Sequence, residues 1–327
     1  MPLVILSGED VDRLLPMDVC IEAMVPALMD VSAGRLAMPL RTGFAPPGVD
    51  EYLVWMPAHR GGAAPTFSTK LLCIVPQNPE RGLDAHQGAV VLIDGTTGEL
   101  RALMPASAVT AIRTAAVSAV ATRRLARPDA AELAIVGTGV QAERHIAAIA
   151  CVRPIRRVRV AGRTPERAAA FVDRVRARAK VEVIAAASPE AAVRGADVVV
   201  LATSSDTPVI DGAWLSPGAH VNAVGASRPP SHEITAETVA ACALFCDRRQ
   251  SLDGEAAEWQ DGLRRGVFAA DHVRGEIGEV LAGRPGRTSD EEITLFRSLG
   301  LAAEDLAAAE AVWRRALAAG AGTVVQF

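Results

Sequence analysis

The sequence predicts an α/β protein whose larger part is a doubly wound parallel sheet, and three observations carry that prediction. An apolar run, Glu132 to Val136, leads into Gly137-Thr138-Gly139-Val140-Gln141-Ala142 and then into a helical stretch. From there to Cys246, short β-branched runs alternate with alanine-rich segments of helical character, the pattern of parallel strands covered on both faces. The first 125 or so residues differ in texture, with Pro39, Pro46, Pro47, Pro57, Pro65, Pro76 and Pro79 scattered among short strand-like runs, which marks a separate α/β domain. The larger part is thus expected to be of the Rossmann type.

Ser7 followed by Asp10 predicts the cap of a first helix, and Met1 to Asp12, acidic and without a basic leader, does not read as a signal peptide. Tyr52 to Met56 and Gly88 to Ile93 read as strands. Lys70 precedes Leu71-Leu72-Cys73-Ile74-Val75, at the mouth of an apolar strand, and Arg113 lies in a helix of small residues, Ala111 to Ala116. Glu132 to Val136 (strand), Val140 to Ala150 (helix) and Val158 to Ala161 (strand) form one βαβ unit of about 30 residues. Strands are expected again at Val181 to Ala185, Asp197 to Ala202, His220 to Val224 and Ala243 to Cys246.

The strand–Gly-x-Gly-x-x-Ala–helix arrangement is how proteins seat a dinucleotide. Gly137 permits the tight turn, Gly139 lets the backbone approach a pyrophosphate, and small Ala142 lets the helix lie close on the strand. Thr138, Val140 and Gln141 complete the loop, and the phosphates meet the free N–H groups of the helix start. After the second strand an NAD-type site carries Asp or Glu, whereas this chain has Ala161-Gly162-Arg163-Thr164. A guanidinium at Arg163 and a hydroxyl at Thr164 suit a 2′-phosphate, so NADP(H) is favoured over NAD(H).

At 327 residues with a net charge of −4, the chain is large enough for two domains and has no basic field for nucleic acid. Arg153-Pro154-Ile155-Arg156-Arg157 reads as solvated surface. No run reaches the roughly 18 apolar residues of a membrane helix. Five cysteines, at 20, 73, 151, 242 and 246, lack metal-type clustering and read as free thiols in a reducing, cytoplasmic setting; no metal is expected.

Arg41, Lys70 and Arg113 stand in largely uncharged surroundings, and burying a cation without a partner costs several kcal/mol. The partner is either a protein carboxylate or an anionic substrate; three cations in one domain beside a hydride donor point to the substrate.

In order along the chain, Arg41, Phe67-Ser68-Thr69-Lys70, Ala111 to Ala119 and Gly137 to Ala142 resemble the ornithine cyclodeaminase/μ-crystallin family. The resemblance continues through Ala202-Thr203-Ser204-Ser205 and Val221 to Pro229 and ends in Phe296-Arg297-Ser298-Leu299-Gly300. It implies a homodimer formed by a substrate-binding N-terminal domain of residues 1–123, to which the last helix returns with 301–327, and a nucleotide domain of 124–300. It also implies that Arg41, Lys70 and Arg113 hold a substrate carboxylate and neighbouring groups, and that Thr203, Ser204 and Gly225 to Ser227 surround the nicotinamide.

Where ornithine cyclodeaminase carries an aspartate that engages the substrate amine, this chain has Ser227, which supplies no negative charge near neutral pH. The run Gly225-Ala226-Ser227-Arg228-Pro229 resembles the ketimine reductase branch instead. The expected reaction is reduction of a carboxylate-bearing imine, such as a cyclic ketimine, to an L-amino acid, or its reverse. Arg113 and Arg41 then clamp the carboxylate, and Lys70, its pKa lowered, donates or relays a proton. His86 is a second candidate donor, and His145 reads as a packing or cap residue. A cyclodeaminase-type lyase with bound NAD and a non-catalytic, crystallin-like binding protein stay open as alternatives.

Overall fold

The computed structural model describes residues 2–326. It forms two compact units, one from the start of the chain to Arg113 together with Leu301 onward, the other from Thr114 to Gly300. The first unit supplies β1 (Leu3–Ile5), α1 (Gly8–Leu14), α2 (Met17–Ser32), β2 (Leu36–Ala37), β3 (Thr42–Phe44), β4 (Tyr52–Arg60), β5 (Thr66–Ile74), β6 (His86–Asp94), β7 (Leu100–Pro105) and the first part of α3 (Ala106–Leu125). The second holds β8 (Glu132–Val136), α4 (Val140–Ala150), β9 (Arg157–Ala161), α5 (Pro165–Arg176), β10 (Glu182–Ala185), α6 (Pro189–Val193), β11 (Val198–Leu201), β12 (His220–Ala223), α7 (Ala236–Ala240), β13 (Ala243–Cys246), α8 (Arg249–Glu255), α9 (Ala257–Arg265), β14 (Val273–Glu276), α10 (Ile277–Leu281) and β15 (Thr294–Arg297). The chain then returns to the first unit through α11 (Ala302–Ala319) and β16 (Thr323–Val325). The boundary falls inside α3, at Arg113/Thr114 and not at 123/124, because one continuous helix serves both units.

The second unit is an eight-stranded sheet in the order β10-β9-β8-β11-β12-β15-β13-β14, parallel throughout. Strand order reverses between β8 and β11, the switch point at which such sheets take ligands outside their carboxyl ends. Both faces are covered. Leu133 and Ile135 of β8 pack with Ile146, Ile149, Phe171 and Val172 of α4 and α5, while Ala134 and Val136 join the opposite core with Val193, Val239 and Trp259. Burial on both sides explains why these strands read as continuous apolar runs. β15 inserts between β12 and β13, and neither it nor β14 was expected: each is four residues long and carries an arginine.

The first unit is a mainly antiparallel sheet, β16-β1-β7-β6-β5-β4-β2, with β3 also on β4 and only β1 and β7 running parallel. α11 packs on β4 to β7 and on α2. Strand periodicity sorts β5: Thr66, Ser68, Lys70 and Leu72 are buried, while Phe67, Leu71 and Cys73 are exposed. Lys70 therefore stands mid-strand and not at a strand mouth, because β5 begins at Thr66, five residues before the apolar run that starts at Leu71.

The capping box at Ser7 and Asp10 is present. The basic run at 153–157 is only partly solvated surface: Arg153 is half-buried and donates to the carbonyls of Thr122, Arg123, Ala126 and Arg127, closing the C-terminus of α3. No helix among the described residues is long and apolar enough to cross a membrane.

Candidate active site

In the first unit, β5, α3 and α11 bring together two cations and two carboxylates. Lys70 points inward by the period of β5, and Arg113 lies on the buried side of α3. Glu304 and Asp305 occupy the first turn of α11, where the helix dipole favours negative charge. Lys70 Nζ lies 2.7 Å from Asp305 Oδ2 and 3.4 Å from Thr110 Oγ1. Arg113 donates from Nε to Asp305 Oδ1 at 3.0 Å and from Nη1 to Glu304 Oε2 at 2.5 Å. All four side chains are buried.

Burial pushes the Lys70 ammonium down to about 8; Asp305 resists that fall, while the fields of Arg113 and Arg41 add to it. Burial also disfavours charged Arg113, but Asp305 and Glu304 more than offset it and hold the guanidinium above its usual value. The cluster thus keeps Arg113 permanently charged and brings Lys70 near neutrality, so that Lys70 can both give and take a proton.

The two carboxylates are absent from the sequence reading. Acids in a first helical turn are the ordinary complement of the dipole, so nothing marked Glu304 and Asp305 as partners of residues some two hundred positions earlier. Arg41 immediately precedes β3 and is half-buried. His86 opens β6 on an exposed stretch, with Nδ1 3.9 Å from Asp84 Oδ1.

In the second unit, three loops leave adjacent strand ends in one row. Gly137 N–H donates to Ala161 O, Ala202 N–H to Val136 O and Val224 N–H to Leu201 O, so the ladder continues into each loop. Gly137 has φ +130°, and a Cβ there would lie 2.3 Å from Ala202 O. Gly139 is the N-cap of α4 at φ −90°, without a side-chain cap, and a Cβ there would meet nothing within 4 Å. Ala142 is fully buried and Val140 exposed. An uncapped helix start faced by glycine, open on its outer side, fits the pyrophosphate of a dinucleotide.

Thr138 contributes packing as well: its Cγ2 would lie 3.0 Å from a Cβ on Gly162. Gln141 O accepts from His145 Nδ1 at 2.7 Å, which fixes the proton on that nitrogen and lets Nε2 accept from Ser118 Oγ at 2.9 Å. Burial holds His145 down to about 4, so it stays neutral and serves packing of α4. Arg163 is exposed after β9, whereas Thr164 caps α5, its Oγ1 accepting from Arg167 N at 3.4 Å.

Thr203 and Gly225, on the loops after β11 and β12, share one partner that the sequence did not reveal. Glu233 Oε1 accepts from Thr203 N at 2.7 Å and Thr203 Oγ1 at 2.8 Å, and Oε2 accepts from Gly225 N at 2.7 Å. Ser204 is exposed and Ser227 half-buried on the same two loops.

Known proteins match this chain along its whole length. The Δ1-pyrroline-2-carboxylate reductase of Bacillus cereus is 35% identical over 327 residues, 99% of this chain and 100% of that protein. The structure of Thermococcus litoralis Δ1-pyrroline-2-carboxylate reductase in complex with NADH and L-proline matches with a TM-score of 0.93 and 32% identity, over 98% of this chain and 99% of that one. An archaeal alanine dehydrogenase dimer with bound NAD matches with a TM-score of 0.92 and 31% identity over the full length of both chains. The model of the ornithine cyclodeaminase/mu-crystallin family spans residues 2–320, which takes in both the cationic cluster and the glycine loop, and the chain belongs to that family.

Proposed function

We propose that the protein reduces the C=N bond of a small carboxylate-bearing imine, a cyclic ketimine such as Δ1-pyrroline-2-carboxylate, to the L-amino acid, and runs the reverse dehydrogenation. The observation that carries this reading is the buried Lys70–Asp305–Arg113 cluster. Reduction adds a hydride to carbon and a proton to nitrogen; a bound NAD(P)H supplies the hydride. Two of the five N–H groups of Arg113 are committed to Asp305 and Glu304. The rest of its fork, with Arg41, is assigned to the substrate carboxylate, which fixes the imine's orientation. Lys70, near neutrality and held by Asp305, is assigned the proton at nitrogen. Exposed His86 is kept as a substrate-contacting residue, and Ser227, with no charge to offer a substrate amine, fits reduction better than deamination.

Gly137 to Ala142, Thr203, Ser204 and Gly225 are assigned to the cofactor. Arg163, exposed where an NAD site would carry a carboxylate, supports NADP(H) over NAD(H).

A homodimer is supported by the outer face of the first sheet, where Leu53, Trp55, Phe67 and Leu71 are each 38–47% exposed on β4 and β5. A contiguous apolar face of this kind normally meets a partner, and an archaeal relative is a dimer. Sedimentation of the purified protein should give the mass of two chains. None of the five cysteines is in a disulfide among the described residues, which suits the reducing cytoplasm.

The experiment is NADPH and NADH consumption with cyclic ketimine carboxylates, and with pyruvate plus ammonia or methylamine. Consumption with a cyclic ketimine supports the reading and gives the ring size. No consumption, with proline and ammonia appearing from ornithine and NAD, overturns it in favour of the lyase.

A further inference from the structure

Glu233 is 2% exposed, lies in the turn region between β12 and α7, and reaches back to both neighbouring loops. Its carboxylate accepts from three donors there: the N–H and hydroxyl of Thr203 and the N–H of Gly225. Its backbone is tied to the same region, since Glu233 O accepts from Val209 N at 2.8 Å. A second bond crosses between the loops, Ser231 Oγ to Asp206 Oδ1 at 2.5 Å. Burying a carboxylate is costly and pushes the Glu233 pKa up; three hydrogen bonds from two separate segments, with the field of Arg297, oppose that rise without cancelling it. Gly225 fits this arrangement by sterics: a Cβ would stand 2.2 Å from Thr203 O and 2.5 Å from Glu233 Oε1. The glycine is thus required by the close approach of the two loops.

We infer that Glu233 is the positioning residue of the cofactor's nicotinamide half: its carboxylate bolts the 203–205 and 225–227 loops into one rigid surface at the carboxyl ends of β11 and β12. The inference rests on the proposed nucleotide-dependent function. It also divides the cofactor site by mechanism. The pyrophosphate and adenosine half depends on Gly137, Gly139 and the start of α4, which Glu233 does not touch, whereas the nicotinamide half depends on the bolted loops. Flexible loops would have to be ordered by the ligand at each binding event, and a preformed bolt removes that cost.

Glu233→Gln tests this with little change of volume. The amide oxygen can still accept from Thr203, but its NH2 then faces the N–H of Gly225, donor against donor, and one loop is released. Binding is titrated for NADPH, NADH and the nicotinamide-free fragments ADP-ribose and 2′-phospho-ADP-ribose, with amide exchange at Thr203 and Gly225 followed in parallel. The expected result is an NAD(P)H dissociation constant raised about tenfold, fragment affinity within about twofold of the unaltered protein, and faster exchange at Gly225. Equal binding of cofactor and fragment by the variant and the unaltered protein overturns the inference, as does parallel loss of both, which marks a general effect on the fold. Failure of the unaltered protein to bind NAD(P)H at all overturns the proposed function itself.

Discussion

Asp305 holds Lys70 at 2.7 Å while its other oxygen accepts from Arg113 at 3.0 Å, so one buried carboxylate spans both cations of the buried cluster. Two consequences follow from that single residue. The same group orients Arg113 and opposes the burial that lowers the Lys70 pKa, and the first turn of α11 is tied to a strand and a helix far away in sequence.

The pH dependence follows from Lys70. Its ammonium is pushed down to about 8, so it is protonated below that pH and neutral above it. A proton donor fails as pH rises through its pKa, and microscopic reversibility makes the same group the proton acceptor in the opposite direction. Imine reduction should therefore fall, and amino-acid oxidation should rise, as pH increases through about 8. Profiles of kcat/KM in both directions check this; limbs that run parallel would remove Lys70 from proton transfer.

Replacing Asp305 by Asn keeps the volume and deletes the charge that most strongly resists the fall in the Lys70 pKa. The alkaline limb of the reductive profile should move to lower pH. The variant should also be less stable, by roughly 3–5 kcal/mol, because two buried cations are left facing one carboxylate fewer. Thermal unfolding gives the second quantity and the rate profile, taken well below the melting point, gives the first. A destabilised variant with an unmoved limb would make Asp305 purely structural.

The two glycines of the nucleotide loop should separate fold from binding. Gly137→Ala forces an L side chain into φ +130° and places Cβ 2.3 Å from Ala202 O, so it should cost roughly 2–4 kcal/mol of stability and binding together. Gly139→Ala meets no neighbour at an ordinary φ, so stability should change by less than about 1 kcal/mol. Its methyl group nonetheless stands on the open side of the helix start, and cofactor affinity should drop at least tenfold, about 1.4 kcal/mol. Melting curves and cofactor titrations on the pair read this directly; full affinity in Gly139→Ala would move the pyrophosphate elsewhere.

How much of this was legible in the sequence depended on how far each signal reached along the chain. β8 and α4 appear at the expected residues, since burial on both faces of a parallel strand and the glycines at its end are local features. β4, β5 and β6 are each nine residues long and were only partly recognised, because their outer face is also apolar and hides the alternation that marks a half-buried strand. The cations Lys70 and Arg113 stood out as charges in apolar runs. Their partners did not, because Glu304 and Asp305 look like any acidic first turn; nor did Glu233, the partner of Thr203 and Gly225, which looks like any loop acid. Pairing across two hundred residues is a property of topology, and a single sequence carries no local trace of it.

Cofactor choice is the last test. Arg163 is exposed after β9, where its guanidinium is free of strand packing, while the Thr164 side chain is engaged in capping α5. The two residues should therefore separate. Arg163→Asp should weaken NADPH far more than NADH, by about a hundredfold in the ratio of dissociation constants, since a charged pair is replaced by charge repulsion against a 2′-phosphate. Thr164→Ala should cost about 1 kcal/mol of stability through the lost cap and leave that ratio nearly unchanged. Titration of both nucleotides against the two variants decides it: a ratio that moves with Thr164 and not with Arg163 would place the 2′-phosphate on the start of α5, and a ratio that moves with neither would remove the basis for preferring NADP(H).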